Sequence, residues 1–303
     1  MPRPKKEEIV IQEKQSKFQL YDPIENIPEL SPYVEQLKAK GIKTLAEAIV
    51  YLHFAGEKES KLALELLEKY AGFMTADQLT FEFPVLPSNI KSLDNALGGG
   101  FKFGALYVIH GPPNSGKTQL LMWLAAQALM NGYRVAIIDG ERSIRVDRIA
   151  KFGSAKNMSN LKMAYALNAD HAAVLTKHLT SLAVDVVLAD GLLYLLKREF
   201  PGRENLAERQ QALKAVMRPL ISLTFAGKLV VLTNQVIEKP VPFHNQLIEI
   251  GGPTFLHMPN YDLSQKGRKE EGGLIVQGEV FKAPDLPNNE YIFKVASDAI
   301  LSL

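Results

Sequence analysis

The chain has 303 residues, 47% of them apolar, enough for one large α/β domain with a small satellite. Its 35 basic and 33 acidic side chains leave a formal charge of +2, so any affinity for nucleic acid has to come from local clusters. The absence of cysteine excludes disulfides, thiolate catalysis and cysteine-ligated zinc, and the six histidines show no metal spacing.

The opening segment MPRPKKEEIV lacks the apolar core of a secretion signal, and no apolar run approaches the roughly 20 residues that cross a bilayer. A cytoplasmic protein without membrane contact is expected, or a nuclear one in a eukaryote. Residues 1–22 are charged and without period, which predicts a flexible tail. Residues 23–70 predict a small all-α domain: PYVEQLKAKGIKTLAEAIVYL repeats apolar residues at helical spacing, Gly41 stops one helix, and Thr44 with Glu47 has the spacing of a capping box. KESKLALELLEKY supplies a further helix, and residues 71–90, with two prolines in TFEFPVLPSNI, form a linker.

From residue 91 to 303, ALYVIHG, YRVAIIDG, DVVLADG and KLVVLTNQV are short β-branched runs separated by helix-length segments. That alternation predicts an α/β fold, a mostly parallel sheet flanked by helices, with a hairpin added at its edge from Gly272 onward.

GPPNSGKT, Gly111 to Thr118, follows the first of these strands and precedes QLLMWLAAQALMNG, a helix closed by Gly132. Strand, glycine-bounded loop and helix are the context a phosphate loop requires. Amides from Asn114 through Ser115 and Gly116 to Thr118 can cradle phosphates, Lys117 can reach the β and γ phosphates, and the Thr118 hydroxyl can hold magnesium. Gly111 and Gln119, at the two ends of the loop, join this nucleotide-binding set.

The next strands end in acids, and in open α/β sheets ligands sit outside the carboxyl ends of the strands. Asp190 is the natural magnesium partner, and Glu141 the candidate to orient or deprotonate an attacking water. Arg148 is placed to lie against adenine. Asp139 reads equally well as a helix cap or as a catalytic acid. A fourth strand ends in Asn234 and Gln235, where a γ-phosphate sensor would sit.

KSLDNALGGGFKFGALYVIHGPPNSGKTQL, EFPGRENLAERQQAL, VVLTNQV and APDLPNNEYIFKV, in this order, resemble the RadA branch of the RecA-type recombinases, with similarity from Ile24 to Leu303. The resemblance implies a RecA-like core that binds ATP and magnesium, polymerises as a helical filament on single-stranded DNA, pairs it with double-stranded DNA, and can close into rings. It implies catalytic roles for Glu141, Lys117 and Gln235, with Gln235 coupling the γ-phosphate to two DNA loops. The first loop resembles KREFPGRENLAERQQ, with Lys197, Arg198, Arg203 and Arg209; the second, VIEKPVPFHNQLIEIGG, has Lys239, Phe243 and His244 for phosphate contact or base stacking. FMTA, Phe73 to Ala76, is similar to the polymerisation motif, and His257 to a histidine that senses a neighbour's nucleotide. A related possibility is a paralogue that acts as mediator or filament cap.

Several positions depart from the pattern. Glu29, Leu30 and Ser31 replace the glycine-rich turn that touches duplex phosphate, Gly191 follows Asp190 where the family has a hydroxyl residue, and Asp262 falls in a segment that tends to have small residues and an arginine. The cap over a neighbour's ATP usually places an aspartate that helps hold a monovalent cation. FKAPDLP puts Lys282 and Pro284 there, and the Lys282 ammonium is expected to replace that cation.

Overall fold

The computed structural model of the protein describes residues 20–72, 83–153, 155–241 and 244–303, with backbone alone for 237–241, 244–249 and 253–254. Phe73, Ala76 and Phe243 lie outside the described residues.

The small N-terminal domain opens with 3₁₀ turns at Ile24–Asn26 and Pro28–Tyr33 and continues with α1 (Val34–Ala39), α2 (Leu45–Ala55) and α3 (Glu57–Tyr70). The capping box forms as its spacing predicts: the Glu47 amide donates to Thr44 Oγ1 at 3.3 Å and the Thr44 amide to Glu47 Oε2 at 3.1 Å. Ile24, Leu30, Leu45, Ile49 and Leu66 fill the interior. So short a core stabilises little by itself, and the bundle is docked on the larger domain. Lys228 Nζ donates to Glu47 Oε1, Arg218 to His53 Nε2 at 2.9 Å, and Tyr21 Oη to the Phe225 carbonyl at 3.0 Å. Glu29 does not project a bare charge, because Lys69 Nζ and, at 2.7 Å, Tyr70 Oη both donate to its carboxylate.

The larger domain begins with β1 (Val85–Leu86), α4 (Lys91–Ala96) and β2 (Phe101–Lys102). Strands and helices then alternate: β3 (Leu106–Gly111), α5 (Lys117–Met130), β4 (Val135–Asp139), α6 (Val146–Phe152), β5 (Leu161–Tyr165), α7 (Ala169–Leu179) and β6 (Val186–Asp190). After α8 (Leu192–Glu199) and α9 (Leu206–Phe225), β7 (Leu229–Val241) runs on into a hairpin with β8 (His244–Glu249). Next come α10 (Gly252–Leu256), β9 (Tyr261–Glu270), β10 (Gly273–Lys282), β11 (Glu290–Val295) and β12 (Ile300–Ser302).

The main sheet has the order β12-β11-β10-β9-β3-β7-β6-β4-β5, parallel from β9 to β5 and antiparallel from β9 to β12. Its alternation decides which helix each residue meets. Tyr107, Ile109, Ile137, Leu188 and Val231 join the cluster of α5 and α6; Val108, Ile138, Val187 and Leu232 join that of α7, α8 and α9. Each such fully buried aliphatic side chain contributes about 1.5–3 kcal/mol. The edge hairpin expected from Gly272 is part of a four-strand meander, β9 to β12, and β5 is an additional strand. Both additions are half exposed, so neither has a continuous apolar run.

Candidate nucleotide site

The phosphate loop leaves β3 and enters α5 through two left-handed residues, Asn114 at φ +62° and Gly116 at φ +89°. Alternation of this kind turns successive amides toward one point and builds an anion cradle, here backed by the N-terminus of α5. Lys117 is buried, and its ammonium donates to the carbonyls of Gly111 and Pro112, each at 2.8 Å. Burial lowers its pKa to about 8, against the opposing pull of Asp190 and Glu141.

At the end of β6, the Asp190 carboxylate collects three hydroxyls. Thr118 Oγ1 donates at 3.0 Å, Ser143 Oγ at 2.5 Å, and Thr233 Oγ1 from the adjacent strand. Thr118 and Asp190 thus present hard oxygen donors beside the cradle, a set that fits magnesium accompanying a triphosphate.

The loop after β4 carries Glu141. Asp139 does not cap a helix, since α6 starts behind Arg145; its two oxygens accept the Glu141 and Ile144 amides at 2.9 Å each, which fixes the turn that delivers Glu141. Gln235, at the end of the buried part of β7, donates from Nε2 to Glu141 Oε1 at 2.8 Å. Desolvation, and then repulsion by Asp190, raise the proton affinity of Glu141. Gly191 is what admits this carboxylate: a Cβ there would lie 2.5 Å from Glu141 Oε1.

These groups line a cleft of about 900 Å³ that also includes Gln119, Arg148, the tip of the β9–β10 hairpin and Val295 to Ser297. Arg148 lies over the Phe152 ring at 4.6 Å and is held by Gln119 Oε1 at 2.5 Å and by the Ala296 carbonyl at 2.8 Å. Its planar face is therefore fixed at the rim, where a base could stack.

The fold brings Gly111, Asn114, Ser115, Gly116, Lys117, Thr118, Gln119, Glu141, Arg148, Asp190 and Gln235 to one site. It does not bring His257, Lys282 or Pro284 there. His257 ends α10 and is exposed, and Pro284 is exposed beyond β10. Lys282 Nζ donates to the carbonyls of Leu256 and Pro259 at 3.2 and 2.8 Å, which clamps the turn bearing His257. Buried Asp262 places Oδ1 2.6 Å from His110 Nδ1 on the adjacent strand.

In the first DNA-loop segment Arg198 and Arg203 are exposed. Arg209 is partly exposed, and its Nη1 donates to the carbonyls of Phe200 at 2.6 Å and Gly202 at 3.1 Å, which braces the loop. Gln210 Nε2 reaches the Gly251 carbonyl at 3.2 Å, which links this segment to the end of the second one. Lys239 and His244 lie on the paired strands of the β7–β8 hairpin. Ser143 and Thr233 are site residues that spacing did not single out; the hydroxyl two positions after Glu141 was the available signal.

A family model described as Rad51 matches residues 85–302. The chain belongs to the Rad51 family. This makes it a RecA-superfamily protein of the RadA and Rad51 type, a family of DNA-repair recombinases. It is similar to the DNA repair and recombination protein RadA of Metallosphaera sedula, with 28% identity over 300 residues, 92% of this chain and 89% of that protein. Rad51-family members are DNA-dependent ATPases, and the phosphate loop, Asp190 and Glu141 described above are the parts such chemistry requires. Among the described residues no helix is long and apolar enough to cross a membrane.

Proposed function

We propose that this protein is an ATP-dependent recombinase that forms helical filaments on single-stranded DNA and promotes homologous pairing and strand exchange with a duplex. The observation that carries this reading is the 2.8 Å bond from Gln235 to Glu141. Gln235 lies on β7, which continues into the β7–β8 hairpin, the segment resembling the second DNA loop. One strand thus joins the candidate water-activating carboxylate to a candidate DNA contact.

Lys117 and the amides of Asn114 to Thr118 hold the phosphates, and Arg148 supports the base. Thr118 and Asp190 would hold magnesium, whose charge would offset that of the phosphates. Glu141, with its raised proton affinity, takes the proton of the attacking water while Gln235 fixes its orientation. Arg198 and Arg203 are available to DNA phosphates, and Lys239, Phe243 and His244 belong to the second contact.

Self-assembly is supported by β5, the last strand of the sheet order. On this strand and just after it, among the described residues, Tyr165 and Leu167 are 48 and 62% exposed. An open strand edge with exposed apolar groups suits an extended segment with an aromatic anchor. Phe73 of a second copy would supply the aromatic anchor, with Ala76 beside it in sequence. His257, Lys282 and Pro284 then act on a neighbour's nucleotide, with the Lys282 ammonium in place of a monovalent cation.

The mediator or filament-cap reading is favoured by two observations: Glu29, Leu30 and Ser31 stand where the family has its glycine-rich turn, and Glu47 ties the N-terminal domain to its own core. Electron microscopy of the protein with single-stranded DNA and a non-hydrolysable ATP analogue separates the two. Continuous filaments, lost in Phe73→Ala, support the recombinase; discrete particles from the unaltered protein refute it.

A further inference from the structure

The β9–β10 hairpin packs on the phosphate loop along a seam of glycines. A Cβ on Gly267 would lie 3.1 Å from Ser115 Cα and closer still to the Asn114 carbonyl, and one on Gly116 would lie 2.7 Å from Val276 Cγ2. Gln265, buried, donates from Nε2 to the Ser115 carbonyl at 3.0 Å. The hairpin is therefore seated backbone to backbone on the nucleotide cradle.

Residues two apart on a strand share a face. Gln265, Gly267 and Lys269 occupy alternate positions of β9; the first two touch the phosphate loop, and the third lines the same cleft one step farther out. Three cations line this cleft. Lys117 is held by loop carbonyls and Arg148 by Gln119 and two further carbonyls. The Lys269 ammonium makes no hydrogen bond or ion pair among the described residues, although neighbouring Arg268 is paired with Glu270 at 2.5 Å. A cation of flexible reach, projected past the rim of an anion cradle and left uncommitted, is arranged to receive negative charge.

We propose that Lys269 is a nucleotide-binding residue that contacts the phosphate chain from the side opposite Lys117, which makes the β9–β10 hairpin the second wall of the site. This rests on the nucleotide reading of the cleft given above. Arg268, paired with Glu270 and absent from the cleft lining, and Lys266, on the opposite face of β9 from Lys269, do not share the role.

The test is calorimetric titration of the full chain and its Lys269→Met, Lys269→Arg and Lys266→Met variants with MgATP, MgADP and adenosine, without DNA. Lys269→Met is expected to weaken MgATP and MgADP about tenfold while adenosine binding is unchanged, since one charge-assisted contact is lost. Lys269→Arg should retain most of the affinity and Lys266→Met all of it. Nucleotide affinity unaltered in Lys269→Met, with normal binding by the unaltered chain, overturns the assignment alone. An equal loss for adenosine overturns the phosphate contact. A chain that binds no MgATP at all overturns the nucleotide reading itself. Titration of the same variants with single-stranded DNA, without nucleotide, should show no change; a selective loss there would make Lys269 a DNA contact and refute the proposal.

Discussion

Gly191→Ser restores the residue class expected after Asp190, yet the structure predicts that it impairs the protein. The position has φ +68°, which costs a residue with a Cβ about 1–2 kcal/mol. The new Cβ would also lie 2.5 Å from Glu141 Oε1 and 2.7 Å from Cδ, so the carboxylate must retreat by about 1 Å to reach ordinary contact. Such a retreat breaks its 2.8 Å bond with Gln235. Displacement of a catalytic group by about 1 Å is worth about 100-fold in rate. Because the atoms nearest the new Cβ all belong to Glu141, MgATP affinity should stay within a factor of about two, while the melting temperature falls by about 2–8 °C. The assays are steady-state ATP hydrolysis with single-stranded DNA, nucleotide titration and thermal unfolding of the same preparation. Hydrolysis at the unaltered rate would falsify the view that Gly191 is there to admit Glu141.

The titration of Lys117 gives a pH dependence. Its folded pKa, about 8, is below the unfolded 10.5, so between those values the unfolded chain binds more protons and this residue's contribution to stability rises with pH. Phosphate needs the ammonium charged, so MgATP affinity should be flat below pH 8 and fall by up to about tenfold per unit above it; constant affinity to pH 9.5 would contradict the assignment. Arg203→Ala should reduce the salt dependence of single-stranded DNA binding by about 0.7 in log–log slope, as one lost phosphate contact requires. Arg209→Ala should weaken binding with less change in slope, since that guanidinium holds loop carbonyls. Glu47→Ala removes a cap and leaves a Lys228 ammonium that is 12% exposed, with Asp185 at 3.9 Å as partial relief; a loss of about 3 kcal/mol in denaturant unfolding is expected.

The four central strands could be read directly because both their faces are covered, which forces continuous apolar runs such as Val186 to Ala189. β9 escaped notice because burial ends half-way along it: Tyr261 to Leu263 face the core, and KGRKE runs out beside the nucleotide cleft. The phosphate loop, Asp190 and Glu141 were legible since each belongs to a strand end, a position that pattern alone identifies. What the side chains do to one another was not. Asp139 left two meanings open until its bonds to the Glu141 and Ile144 amides gave a third. For Arg209 the sequence shows a charge but not the two loop carbonyls to which its Nη1 donates.

Glu47 has two oxygens with different obligations. Oε2 accepts the Lys43 and Thr44 amides at the start of α2, and Oε1 accepts Lys228 from the other domain. The carboxylate that begins the helix is therefore the one that fastens it, and neither task can change its residue without disturbing the other. Exchanging this bundle for a relative's would require the recipient to carry both halves of the fastening, the glutamate at the helix start and the lysine across the seam. The two domains of this chain are thereby obliged to diverge together.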